Sequence, residues 1–291
     1  MFTTKLKIDD KLPLTCSRTG TCCHGNDVFV NPWELAYIAR EKNLSPKKFR
    51  DQYCDFGGIR LKFNGKKDLR GKSACNQYAE NFGCNVHKGR PLACRLFPLG
   101  RQIQNEQVNY VFQGEIFPCL EGCAEVKNLP YLSVGEYIQG QCTDLFEQAQ
   151  DYYLEMMQNI ADIAFALLLD TGLASSSDCT TLSSWRIMGT DTPEELAKKI
   201  EPEWMESLLL PTVENQLDNP VLFIQEHNEI LQEKAQQKFS TLQSFNELHK
   251  ASTQMMGVAL LLARALGTDP QALAAHWIEI AKDNGASEIC E

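Results

Sequence analysis

The chain has 291 residues, of which 43% are hydrophobic and 23% charged, and its net charge is −10. These values are ordinary for a globular protein long enough to bury one large core or two small ones. The acidic excess argues against general nucleic-acid binding, which relies on neutralising phosphates.

The charge is unevenly placed. Residues 1–142 carry 20 Lys/Arg and 14 Asp/Glu, a balance of +6, whereas residues 143–291 carry 8 and 24, a balance of −16. The expected division is therefore a cysteine-rich domain over 1–142 and an acidic all-helical domain over 143–291, with opposite charges that suit an intramolecular match. The opening MFTTKLKIDDKLPLT lacks the apolar core of a secretory signal. The longest apolar run, Ile160 to Leu169, contains Asp162 and falls short of the roughly 20 apolar residues that span a bilayer. A soluble cytoplasmic protein without a membrane partner is expected, in a compartment that keeps thiols reduced and disfavours a disulfide framework.

The first domain reads as irregular. Asn31-Pro32 ahead of WELAYIAREKN combines a cap, a proline at the first helical position and an amphipathic helix. Ser45-Pro46 opens a second short helix, KKFRDQY, in the same way. Gly57-Gly58 and Asn64-Gly65 bracket IRLKF as a strand, and RQIQ and QVNYVFQ form a hairpin around Asn105-Glu106.

The second domain reads as helix almost throughout. A long helix runs from DLFEQ to LLLD and stops at Thr171-Gly172, followed by a polar linker, ASSSDCTTLSS. Thr192-Pro193-Glu194-Glu195 starts another helix, with acidic residues suited to its dipole. Further helices follow across Val221–Lys250 with a possible break, across Thr253–Leu266, and across Pro270–Lys282. The fold class is thus mainly α: an irregular, metal-stapled N-terminal α+β domain with short strands, then a helical bundle.

The chemistry lies in the twelve cysteines. Cys16, Cys22, Cys23, Cys75, Cys84, Cys94, Cys119 and Cys123 form a patterned set, whereas Cys54, Cys179 and Cys290 read as lone buried thiols. Thiolates gathered this way point to zinc or an iron–sulfur cluster. Zinc sites usually draw on CxxC pairs, and the chain has none. Eight thiols also exceed one four-ligand site, so the surplus implies two zinc ions or a cluster, most naturally 4Fe-4S, with additional ligands. His24 and His87 sit beside Cys23 and near Cys84 as additional ligands or proton carriers. Arg90 and Arg95 flank Cys94, where guanidinium groups can offset thiolate charge. No P-loop, HExxH, GxSxG or GxGxxG signature is present, which argues against a nucleotide-fold methyltransferase.

Cys16-SRTGT-Cys22-Cys23, then Glu34 on a following helix, then Cys75, Cys84 and the string Arg90-Pro91-LA-Cys94-Arg95-L-Phe97-Pro98, resembles the cysteine-cluster family. Its name is the zinc- or iron-chelating CxxCxxCC domain, and the resemblance covers roughly residues 14–125. Thr19 stands where the name motif has its second cysteine, and Cys123 is the candidate substitute. The family includes flagellin lysine N-methylases associated with an iron–sulfur cluster and S-adenosylmethionine. The resemblance therefore implies a metal centre, and for an enzyme it implies methylation of a protein partner whose basic segment the acidic domain recruits. Arg90, Arg95 and Glu34 would then support the centre or bind the cosubstrate. The alternatives are a metal-stapled interaction module and a metal-handling or redox-sensing protein.

Overall fold

The structure is a computed structural model that describes residues 3–16, 20–104, 107–117, 126–170, 172, 179–213 and 216–287. The chain divides into two compact units that interleave in sequence. The first comprises Met1–Val28, Ile38–Leu44 and Leu61–Glu147, and the second comprises Phe29–Tyr37, Ser45–Arg60 and Gln148–Glu291.

Small sheets organise the first unit. Strand β1 (Thr3–Leu6) pairs antiparallel with β8 (Gln107–Gln113), which pairs on its other edge with β7 (Gly100–Gln104). The expected hairpin is therefore present, but as two strands of a three-stranded sheet. Strand β2 (Lys11–Pro13) pairs with β9 (Tyr131–Ser133), and β5 (Tyr78–Ala79) with β6 (Gly83–Cys84). Helix α3 is only Leu92–Leu96, and α4 spans Val134–Gln141 with a Ser133/Glu136 capping box. Leu14, Leu99, Phe112, Phe117, Val134 and Tyr137 form the buried core where these pieces meet. The predicted IRLKF strand shrinks to β4 (Arg60–Leu61), paired with β3 (Cys54–Asp55).

The second unit is helical. Helix α1 (Pro32–Glu41) begins in it, and α2 (Pro46–Tyr53) follows with Ser45 Oγ accepting from the Lys48 amide. The remaining helices are α5 (Asp144–Leu169), α6 (Cys179–Thr190), α7 (Pro193–Lys199), α8 (Pro202–Leu209), α9 (Pro220–Phe239), α10 (Phe245–Ala265) and α11 (Pro270–Asp283). Two expectations need correction. The polar linker is helix from Cys179 onward, because Cys179, Leu182, Trp185 and Met188 recur at helical spacing and are all buried. The break in Val221–Lys250 falls after Phe239, and Ser244 recaps the chain so that Phe245 to Ala265 is one helix.

Helix α10 is buried on every side from Met255 to Ala263, as a helix at the middle of a bundle must be. Its neighbours include α6, α7, α8 and α11. Gly189 of α6 permits a close crossing, since a Cβ there would lie 2.6 Å from the Ala274 methyl of α11. All four tryptophans, Trp33, Trp185, Trp204 and Trp277, are fully buried in this unit. Trp33 Nε1 donates to Leu217 O at 3.0 Å and Trp277 Nε1 to Gln158 Oε1 at 3.2 Å, so those indoles bring no unmet donor into the core.

Cys179 is buried but disulfide-bonded, so it is not the free thiol expected. Cys54 is a buried free thiol as expected, and Cys290 lies outside the described residues. Among the described residues, no helix is long and apolar enough to cross a membrane.

Candidate metal centre

The thiols are placed by backbone pairing within the first unit. Gly20 takes a left-handed conformation (φ 81°) and starts the single helical turn Thr21–Cys23, closed by the Cys23 amide on Gly20 O at 2.9 Å. A side chain at Gly20 is excluded, because its Cβ would lie 2.2 Å from the Tyr78 ring. The turn is then stitched to the next cysteine segment. The Cys75 amide donates to Cys23 O at 2.7 Å, the Gly25 amide to Ser73 O at 2.9 Å, and His24 bridges Ala74. Cys84 enters through the β5–β6 ladder, directly opposite Tyr78. Cys94 rides on α3, its amide bonded to Pro91 O at 3.0 Å.

These contacts bring together Cys22, Cys23, Cys75, Cys84 and Cys94, all free and half-buried. Electrostatic coupling links them. The Cys23 thiol donates to Cys22, which lowers Cys22 to about 7 against the opposing effect of burial, with help from its own amide and from Arg90. The same bond raises Cys23, reinforced by burial and by the charges of Cys22, Cys94 and Cys84. Burial lifts Cys75 to about 11, with the Gln77 amide opposing and Cys84 adding to the rise. Cys94 is raised well above a free thiol, first by burial and then by Cys75, Cys84 and Cys22, while Arg90 opposes. Three of these thiols, Cys23, Cys75 and Cys94, are held protonated by burial and by one another, which a cationic centre would relieve. Among the described residues, no three Cys, His, Asp or Glu side chains converge as ligands of a single ion.

The other candidates sort clearly. Cys16 is exposed, and Cys119, Cys123 and Thr19 lie outside the described residues. His24 Nδ1 donates to Gly20 O at 2.7 Å, the tautomer that leaves the Nε2 lone pair for a ligand, and its ring stands edge-on to Tyr78 at 5.0 Å. His87 uses Nε2 to accept from Arg90 Nη1, which withdraws that nitrogen from ligation. Glu34 belongs to the second unit and caps its own helix: Asn31 N donates to Glu34 Oε2 at 3.1 Å, and Glu34 N to Asn31 Oδ1 at 2.9 Å.

The two arginines of the RPxxCR string differ in kind. Arg95, 6% exposed, works on the backbone: Nε donates to Arg90 O at 2.9 Å, Nη1 to Gln141 O at 2.7 Å and Nη2 to Lys88 O. Its plane lies 3.8 Å from the Phe146 ring centroid. Tyr137 Oη completes the brace, donating to Arg95 O and Phe97 O at 2.8 Å each. Arg90, 8% exposed, donates to His87 Nε2 and Gln141 Oε1, and its buried Nε has no acceptor among the described residues. Gln77, 1% exposed, likewise has an unmet Oε1. Gly20, Gln77, Tyr78 and Gln141 escaped the sequence reading. Only Gly20, inside the cysteine string, left a signal there.

An all-sulfur donor set with a buried, unmet cationic N–H beside it fits an anionic thiolate–metal group, which presents sulfur acceptors. The fold and site thus define a thiol-rich unit joined in one chain to a helical unit. Residues 15–112 match the CxxCxxCC family, described as a putative zinc- or iron-chelating domain, which supports metal binding and leaves residues 1–14 and 113–291 unmatched. No curated protein and no solved structure matches the chain.

Proposed function

We propose that the first unit holds a thiolate metal centre drawn from Cys22, Cys23, Cys75, Cys84 and Cys94, completed from Cys16, Cys119, Cys123 and His24. The observation that carries this reading is the stitching of the Cys22–Cys23 turn to the Cys75 segment, with the Cys75 amide on Cys23 O at 2.7 Å, and the electrostatic influence of Cys84 and Cys94 on the same thiols. The surplus over four ligands and the absence of CxxC pairs support an iron–sulfur cluster, which would supply electron transfer when bound. Zinc is the second reading, supported by the description of the matching family. In either case the β5–β6 ladder and the Gly20 turn hold the sulfurs in place, and the Arg95 brace fixes the loop that leads into Cys94. The acidic helical half would serve as the surface for a partner with a basic segment.

A cosubstrate-binding role for Arg95 is not part of this proposal, since all three of its nitrogens donate to backbone carbonyls. The test is anaerobic purification followed by assay of iron, labile sulfide and zinc. Iron with sulfide and brown colour supports the cluster, zinc alone supports the second reading, and protein that takes up neither metal refutes both.

A further inference from the structure

Arg90 combines a latched guanidinium with a position whose charge acts on the thiols. Two of its nitrogens are latched, Nη1 on His87 Nε2 and Nη2 on Gln141 Oε1. Gln141 is itself fixed, because its carbonyl accepts from Arg95 Nη1 at 2.7 Å. The latch sets the guanidinium in one orientation at a cost in side-chain entropy, yet leaves Nε–H buried without an acceptor among the described residues. An unmet buried donor costs about 1–3 kcal/mol, and more when it is charged. A side chain held by two residues in so unfavourable a position points to an acceptor that is not among the described residues. The charge of Arg90 is felt at both Cys22 and Cys94.

We infer that Arg90 is a positioning residue for the metal centre, its Nε–H donating to a sulfur of the loaded site and its charge offsetting that of the thiolates. This assignment rests on the metal reading above. It separates two residues that the sequence presents as equivalents: Arg90 serves the ligand, and Arg95 serves the fold. It also gives His87 and Gln141 a part, that of aiming the guanidinium.

The experiment compares the full chain with Arg90→Gln, Arg90→Lys and, as a distant control, Arg70→Gln on an exposed loop, where the arginine pairs with Asp68. Zinc affinity is measured by chelator competition, and cobalt(II) loading reads the sulfur-to-metal charge-transfer band. Loss of such an outer partner typically weakens metal affinity 10- to 100-fold. Arg90→Gln is expected to fall in that range with a shifted band, while the circular dichroism of its metal-free form matches the parent. Arg90→Lys keeps the charge but has no Nε–H, so it should show the band shift with a smaller loss of affinity. Arg70→Gln should change nothing.

Parent-like affinity and band position in Arg90→Gln would overturn the assignment while leaving the metal reading intact. If Arg90→Gln fails to fold, Arg90→Lys decides alone, and a parent-like band there overturns the inference. A parent protein that takes up neither zinc, cobalt nor iron with sulfide overturns both the metal reading and this one.

Discussion

His227 offers a quantitative test of the helical unit. It is fully buried on α9, with Nε2–H donating to Ser207 O at 3.0 Å and Nδ1 accepting from Tyr153 Oη at 3.2 Å. The neutral imidazole satisfies both ring nitrogens without placing a charge in the core. Burial lowers its pKa to about 4 from 6.5, with the Ser207 carbonyl opposing. The unfolded chain therefore takes up this proton as the pH drops below 6.5, while the folded chain resists until about 4. Stability contributed by the neutral form is complete above pH 6.5 and is lost as the pH falls through that window, flattening below about 4. At 1.36 kcal/mol per pKa unit the loss is about 3 kcal/mol, a large share of a typical folding free energy. Urea unfolding of the parent and His227→Gln, followed from pH 7 to pH 4, isolates the effect, because carboxylates that titrate in both proteins cancel in the difference. The parent should lose about 3 kcal/mol more than the variant over that range. Parallel pH profiles, or a native imidazole that titrates near its free value by NMR, would refute the reasoning.

Other consequences can be checked directly. Cys94→Ser should lower bound metal and destabilise the loaded first unit, whereas Cys54→Ser should leave metal content at the parent level, as read by elemental analysis. Gly20→Ala forces a side chain into a left-handed position against the Tyr78 ring, so a loss of about 1–2 kcal/mol from backbone strain alone is expected in denaturant melts. Tyr78→Ala in the same chain should relieve the steric part but not that strain. Arg95→Lys should lower the melting temperature of the metal-free protein, because one ammonium cannot replace three carbonyl contacts and a stacked plane.

The parts of the fold legible in the sequence are those whose signals are local. Proline-led caps at Pro32, Pro46, Pro193 and Pro270 mark real helix starts. The β7–β8 hairpin reads correctly for the same reason, since its strands are neighbours in the chain. Strands β1 and β2 went unread because their partners, β8 and β9, lie a hundred or more residues away, and a three- or four-residue strand carries little pattern of its own. Helix α6 was legible and was missed: the serine-rich run upstream masked the apolar spacing from Cys179 to Met188. At the site, residue type revealed the thiols, but nothing in RPxxCR distinguishes an arginine that braces backbone from one left with an unmet donor. That difference depends on Gln141, far along the chain.

The brace around Arg95 also bears on how small a working piece of this protein can be. The family match stops at residue 112, yet Gln141, Tyr137 and Phe146, which hold the arginines in position, all come after it. Leu14, which packs in the same core, comes before it. A fragment trimmed to the matched residues would keep all five converging thiols and lose the struts that orient them, and it would expose the apolar faces of Leu99 and Phe112. Recombinant work on the isolated unit should therefore carry the chain from its first strand through Glu147, while accepting that segments 29–37 and 45–60 were borrowed from elsewhere. The compact unit is larger than its recognisable signature.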